Sequence, residues 1–229
     1  MIDTLEDFIA AYGQIKARGW IRTHRSGPTG IGKTLEDLLG IVENNVGEPD
    51  FGTYELKSAR LHSSSMLTLF TLAPQPPKAN GVLLRKYGYE KNDKSVLRTT
   101  LSTDAFSSTG LKMTLMGDRL YFASRTEIES IYYERSALLQ ALQRKYAGQL
   151  VYAYAEHRGS RENEHFKFHS AYTARMNYER FFDLLMNGII KVDIRLGLYP
   201  NGKTHDHGTA FRIKPNDLNL LFEDRTKIA

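Results

Sequence analysis

Cysteine is absent from all 229 residues. That excludes disulfide staples, thiolate-held zinc and cysteine nucleophiles, and it suits a reducing, cytoplasmic setting. Long apolar runs are missing too: nothing approaches the roughly 18–20 consecutive residues that a bilayer span requires. No secretory leader is visible at the start, so the expectation is a soluble bacterial cytoplasmic protein with no membrane partner. Internal repeats and low-complexity tracts are also lacking, which excludes solenoids and disordered tails. What is present is a composition able to fold: 41% hydrophobic residues, with 13 Tyr and 11 Phe. The length is long for one average domain and short for two large ones, so a single domain with two lobes is expected. A formal charge of +5 permits a polyanionic partner without identifying one.

The most informative stretch is Pro49-Asp50-Phe51-Gly52-Thr53-Tyr54-Glu55-Leu56-Lys57. If residues 53–57 are extended, Glu55 and Lys57 project from one face while Tyr54 and Leu56 pack behind. Asp50 stands just before that strand. Two carboxylates and an ammonium converging in this way make a site for a hard divalent cation, with a lysine available to position or deprotonate a water. A phosphodiester repels anionic nucleophiles, so its hydrolysis needs positive charge at the phosphate and an activated water, which carboxylate-held Mg²⁺ supplies. The bland reading of the same residues is the wet face of an edge strand.

Around this stretch the periodicity predicts an α/β protein with a mixed sheet flanked by helices. A helix is expected over 4–18, closed by Gly19, and a second from Thr34, with Leu35, Leu38, Leu39 and Val42 on one face and Glu36 beside that stripe. Residues 65–71 read as a buried strand ended by Pro74-Gln75-Pro76-Pro77. Residues 78–109 are polar and low in periodicity and read as either a long excursion or a flexible segment. A hairpin is expected at 112–123, a long amphipathic helix over 126–146, a central strand at 150–155 paired with 164–172, a helix over 176–187 and a strand over 189–196.

Two further segments carry chemistry. Gly27-Pro28-Thr29-Gly30-Ile31-Gly32-Lys33-Thr34 satisfies the phosphate-loop pattern of nucleotide-binding ATPases. The mostly polar Trp20–Arg25 before it is a poor match for the buried parallel strand that such a loop follows. The alternative is that its amides, with Arg22, Arg25 and Lys33, grip nucleic-acid phosphates by the same anion-binding physics, and the bland reading is a glycine-rich turn into a helix. Near the C-terminus, Asn201–Ile213 is dense in donors and acceptors. His205 and His207 at i, i+2 make a poor zinc pair. More often such a cluster is a turn with solvated imidazoles, and a segment that reads G·C pairs through His, Arg and Asp is the third reading; spacing alone does not choose among the three.

Taken together, the blocks Gly27–Leu39, Pro49–Lys57, Leu67–Thr71 and Lys191–Ile213 (KVDIRLGLYPNGKTHDHGTAFRI) resemble the MvaI/BcnI family of restriction endonucleases, relatives of the mismatch-repair nickase MutH in the PD-(D/E)xK nuclease superfamily. The resemblance implies a restriction-endonuclease-like fold whose two lobes form a DNA-binding cleft. The catalytic lobe would include about residues 27–75 and the recognition lobe about 189–213. It implies that Asp50 and Glu55 bind Mg²⁺, that Lys57 is the catalytic lysine and that Glu36 is the additional helix-borne acid. Lys203, His205, Asp206, His207 and Arg212 match the recognition segment, which in this family reads a short CC-x-GG site. A monomer cutting each strand in turn, double-stranded DNA as partner, and a cognate methyltransferase as functional counterpart are also implied. The phosphate-loop lookalike then becomes a DNA-contacting segment. A strand-specific MutH-like nickase, a nucleotide-hydrolysing enzyme and a non-catalytic DNA-binding module stand as alternatives.

Overall fold

The computed structural model describes residues 2–42, 48–63, 65–160, 162–199, 201–206 and 209–229. In chain order, the first elements are α1 (Leu5–Ala17), β1 (Ile21–Arg22), α2 (Gly30–Leu39), β2 (Tyr54–Arg60), β3 (Leu67–Thr71), α3 (Ala79–Tyr87), β4 (Tyr89–Lys91) and β5 (Lys94–Leu101). There follow β6 (Leu111–Met116), β7 (Arg119–Ser124), β8 (Ile128–Glu134), α4 (Arg135–Lys145), β9 (Gln149–Arg158) and β10 (His165–Met176). The chain closes with α5 (Tyr178–Met186), β11 (Lys191–Leu198), β12 (Thr204–Asp206), β13 (Ala210–Ile213), α6 (Leu218–Leu221) and β14 (Phe222–Lys227). Among the described residues no helix is long and apolar enough to cross a membrane.

Two compact units emerge. The first comprises Met1–Ser65, Gln143–Asn177 and Leu218–Ala229, and the second Met66–Leu142 and Tyr178–Asp217. The boundary at Ser65 places β3 in the second unit.

In the first unit the sheet runs β1-β10-β9-β2, with β14 also beside β10. β2 pairs with β9 in parallel, from Tyr54 opposite Gln149 to Arg60 opposite Ala155, and the other pairings are antiparallel, so the sheet is mixed. Leu150, Val151, Tyr152 and Ala153 are all buried, the near-continuous run expected of a strand covered on both faces. α1 begins with a reciprocal capping box between Thr4 and Asp7, which satisfies donors that the first turn leaves open. Its Phe8, Tyr12 and Ile15 pack with Ile31, Leu35 and Leu39 of α2 against Leu56, Val151, Phe166 and Phe168 of the sheet. The buried Tyr12 hydroxyl donates to the Ser170 carbonyl at 3.2 Å, tying the helix to β10.

The second unit holds an antiparallel sheet in the order β3-β13-β11-β5-β4, with β12 beside the far end of β11, and a three-stranded sheet β6-β7-β8. Its core gathers aromatic rings: Phe70 stacks on Phe211 at 4.7 Å, and Tyr133 meets Phe211 edge-on at 5.2 Å. Such pairs add to area burial by their quadrupole geometry.

Three expectations from the sequence are corrected. Residues 78–109 are not an excursion; they form α3, β4 and β5. α3 has only nine residues and no side-chain cap, and β5 turns Thr99 inward beside Leu97 and Leu101, so neither shows a clean apolar period. The long helix over 126–146 is instead strand β8 followed by α4. Here Glu129 sits on the buried face of the strand, where Lys86 bonds it at 2.8 Å and Tyr87 donates to it, and a charged residue at an inward position hides the period of two. Finally, α2 begins at Gly30 rather than Thr34, so the glycine-rich segment is itself the first turn of the helix.

Gly148 stands immediately before β9, where a Cβ would lie 2.1 Å from the Thr53 carbonyl oxygen and 2.6 Å from Thr53 Cβ. Gly148→Ala is therefore expected to push β9 away from the start of β2. A loss of about 1–3 kcal/mol, the usual cost of overpacking, should be read as a lower midpoint in urea unfolding.

Candidate active site

The strand that carries Glu55 and Lys57 is entered through a tight turn. Asp50 and Phe51 both donate backbone N–H to the Tyr54 carbonyl, at 3.0 and 3.2 Å, and Tyr54 returns one to Phe51 at 2.8 Å. Gly52 adopts φ +50°, and a Cβ there would stand 2.4 Å from the Asp3 carbonyl oxygen, so the turn requires glycine. The turn folds Asp50 back along β2, where its Oδ2 accepts the Leu56 backbone N–H at 2.7 Å. Asp50, four residues before the first residue of β2, thereby comes beside Glu55.

Glu55 is fully buried. Its Oε1 accepts from Lys57 Nζ and also lies 3.1 Å from Lys145 Nζ, while its Oε2 is buried with no hydrogen-bond partner. Burial pushes the Glu55 carboxyl above its usual range; Lys57 and Lys145 oppose that, and the Asp50 charge adds to it. For Lys57, desolvation pulls the ammonium down, but Glu55, Asp50 and Glu36 outweigh it and hold the pKa above the ordinary lysine value. Lys57 is thus a cation held ready to donate. Glu36, on α2, acts on the same lysine through its charge; its Oε1 and the Ser58 hydroxyl both lie within 4 Å of the point where a Gly32 Cβ would stand.

An unpartnered, buried carboxylate oxygen costs more than an ordinary lost hydrogen bond and calls for a cation or water. Asp50 and Glu55 suit a hard oxygen-seeking ion. Among the described residues no group of three His, Cys, Asp or Glu side chains has metal-holding geometry. Two carboxylates that leave positions for water have the chemistry to hold a hard divalent cation such as Mg²⁺.

The phosphate-loop lookalike does not have the geometry of a nucleotide site. Arg60 on β2 grips Glu164 with two contacts of 2.6 Å and donates to the carbonyls of Gly27 and Pro28 at 3.1 Å. These loop carbonyls therefore face a guanidinium. The Thr34 hydroxyl is buried, donating to the Gly30 carbonyl at 2.7 Å and accepting the His24 backbone N–H at 3.0 Å, while Lys33 pairs with Asp37 at 2.6 Å. A hydroxyl so enclosed is not available to a nucleotide-bound ion. Arg22 and Arg25 lie exposed beside this segment.

In the second unit one face of the sheet is polar. Thr68, Arg212 and Lys191 are successive partners across β3, β13 and β11; Asp193 stands opposite Thr100, and Arg195 opposite Arg98. Asp193 is buried and organises them: it accepts from Arg195 Nε at 2.8 Å, Arg212 Nη1 at 2.9 Å and Thr100 Oγ1 at 2.9 Å. Arg212 is further held through Nε by Thr68 Oγ1 at 3.1 Å. Desolvation and the nearby Arg195 lower the Arg212 pKa, and Asp193 opposes them. Arg98, Thr99, Thr100, Ser108, Asp193 and Arg195 line an open cleft of about 620 Å³. At the other end of β11, His205 stacks on Tyr199 at 4.4 Å, and Asp206 accepts from Asn80 Nδ2 at 2.6 Å. Lys203 is exposed at the turn, and His207 lies outside the described residues.

The structure thus brings Asp50, Glu55 and Lys57 together with Glu36 nearby. Arg212 is joined to Asp193 rather than grouped with His205 and Asp206. Sequence reasoning missed Lys145, Asp193, Arg195 and Asn80. For Asp193 and Arg195 a signal existed, since i, i+2 spacing in a strand places both on one face. Lys145 and Asn80 carried none, because only the tertiary fold returns α4 and α3 to these places.

Two solved structures are similar along the whole chain. One, the restriction endonuclease MvaI with its cognate DNA substrate, is 33% identical, with 100% of each chain covered and a TM-score of 0.86. The other, MvaI in the absence of DNA, is also 33% identical, covering 100% of this chain and 99% of that one, with a TM-score of 0.58. The sequence model of the MvaI/BcnI restriction endonuclease family matches residues 9–222. No curated protein sequence matches the chain.

Because Asp193 anchors two guanidinium groups, Asp193→Asn should weaken both contacts while preserving shape. The expected loss is about 1.5–3 kcal/mol, the range for a hydrogen bond to a charged group, measured as a shift in the denaturant midpoint.

Proposed function

The chain belongs to the MvaI/BcnI restriction endonuclease family, and from that premise we propose that it is a Mg²⁺-dependent enzyme that hydrolyses double-stranded DNA at a short CC-x-GG site. The observation that carries this reading is the buried Glu55 carboxylate, held at one oxygen by lysine and open at the other, beside an Asp50 fixed by the Leu56 N–H.

Asp50 and Glu55 would hold the Mg²⁺. When bound, the ion adds positive charge at the scissile phosphate and makes a water a stronger nucleophile. Lys57 keeps its proton, because the surrounding carboxylates favour the ammonium. In that state it donates to the attacking water, orienting it, and offsets charge that builds on the phosphate oxygens. Glu36 helps to keep Lys57 charged. Arg22, Arg25 and Lys33, around the first turn of α2, have the chemistry to position the phosphate backbone without reading sequence.

Specificity is assigned to the second unit. Arg195 and Arg212, each oriented by Asp193, present N–H groups suited to guanine O6 and N7, and Asp206 suits an accepting contact with cytosine N4. Lys203, His205 and His207 complete the recognition segment. Membership of the family supports a monomer whose single active site nicks one strand and then the other. A bacterial cell carrying such an activity needs a methyltransferase that protects its own sites.

Digestion of supercoiled plasmid of known sequence tests the reading. With Mg²⁺, a nicked intermediate followed by fragments ending at CC-x-GG is expected. Stable nicks alone would point to a strand-specific nickase, and no Mg²⁺-dependent change to a binding module. Lys57→Ala should abolish cutting while specific binding persists, since the lysine serves the transition state; cutting by the purified variant would overturn the catalytic assignment. Arg212→Ala should lose about 1–3 kcal/mol of discrimination if it makes a bidentate guanine contact, measured as the ratio of binding constants for cognate and single-mismatch duplexes.

A further inference from the structure

Lys145 is the second cation on Glu55, with Nζ 3.1 Å from Oε1, the oxygen that Lys57 also bonds. It is not a loose surface lysine: its side chain is 23% exposed, and the chain is pinned just beyond it. Tyr146 is fully buried and meets Phe222 edge-on at 5.6 Å, and Gly148 lies tight against Thr53. The last turn of α4 is therefore built to deliver this ammonium to the buried carboxylate.

Formal charges show what that accomplishes. Asp50, Glu55 and Glu36 supply three negative charges, and Lys57 and Lys145 two positive ones, leaving a net charge of minus one. A divalent cation entering this group alone turns it to plus one, and a phosphodiester returns it to zero. Without Lys145 the same group starts at minus two, and the cation alone neutralises it. Charge left unbalanced in a desolvated site is costly.

We propose that Lys145 withholds the divalent cation from the DNA-free protein, competing with it for Glu55, so that ion and DNA phosphate bind together. Lys145 is a positioning residue that acts through Glu55. The proposal rests on the assignment of Asp50 and Glu55 as cation ligands. In chemical terms, metal affinity and DNA affinity become linked, each raising the other by the same factor.

Calcium titration calorimetry of the DNA-free protein reads this directly, with no turnover involved. Lys145→Met, which keeps the length and removes the charge, should bind Ca²⁺ about ten-fold more tightly than the wild type, a gain of about 1.4 kcal/mol. Lys145→Arg, which keeps the charge, should match the wild type. A CC-x-GG duplex should raise Ca²⁺ affinity strongly in the wild type and much less in Lys145→Met. Unchanged or weaker Ca²⁺ binding by folded Lys145→Met overturns the proposal, and Lys145→Gln makes the same comparison if the Met variant does not fold. Glu55→Gln separates the two levels of the argument. If it binds Ca²⁺ as the wild type does, the cation site itself is misassigned; if it loses binding while Lys145→Met shows no gain, only the role of Lys145 fails.

Discussion

The burial of Glu55 is the constraint on which the arrangement of the first unit depends. A carboxylate removed from water is tolerated only where cations and donors surround it, and the elements nearby supply them from different parts of the chain. β2 provides Lys57 and α4 provides Lys145, while the Asp50 carboxylate from the turn before β2 works against them and Glu36 on α2 helps to keep Lys57 charged. Parallel pairing of β2 with the buried β9 holds the strand that bears the pair. Even then one oxygen remains unsatisfied. A stable fold rarely leaves such an atom without purpose.

The second unit applies the same device to a different end. Asp193 is buried among arginines as Glu55 is among lysines, yet its oxygens are engaged by Arg195, Arg212 and Thr100. One carboxylate keeps an oxygen without a hydrogen-bond partner, and the other aligns two guanidinium groups. A planar fork fixed through one N–H still presents others at a set angle, which suits bidentate recognition of base edges. The polar strip from Thr68 to Arg98 is thus a fixed surface on a sheet rather than a set of mobile loops, and sites on such elements hold their geometry well.

Legibility varied with how local the signal was. The Asp50–Lys57 grouping follows from period two in a strand and a short turn, and the capped α1 helix from i, i+3, i+4 spacing, so both could be read along the chain. The phosphate-loop pattern was local too, yet misleading: the residues satisfy the spacing, but Arg60 takes the carbonyls and Thr34 is buried. Segments with a charge on the inward face, as Glu129 in β8, were misread because periodicity assumes that buried means apolar. Its partner Lys86 lies 43 residues away, and no window of the sequence joins them.

By itself, the sequence determined the chemistry: which acids and which lysine could meet on one face, the mixed α/β character and the exclusion of thiol-based sites, because these depend on residue type and short-range period. The resemblance of four ordered blocks added the family. Only the tertiary structure decided that Glu55 is buried rather than solvated, that Lys145 shares it, and that Asp193 rather than the histidine turn holds Arg212. Each of those facts is a contact between residues far apart in the chain, and the environment that fixes a charge and its partners exists only once distant segments have closed around it.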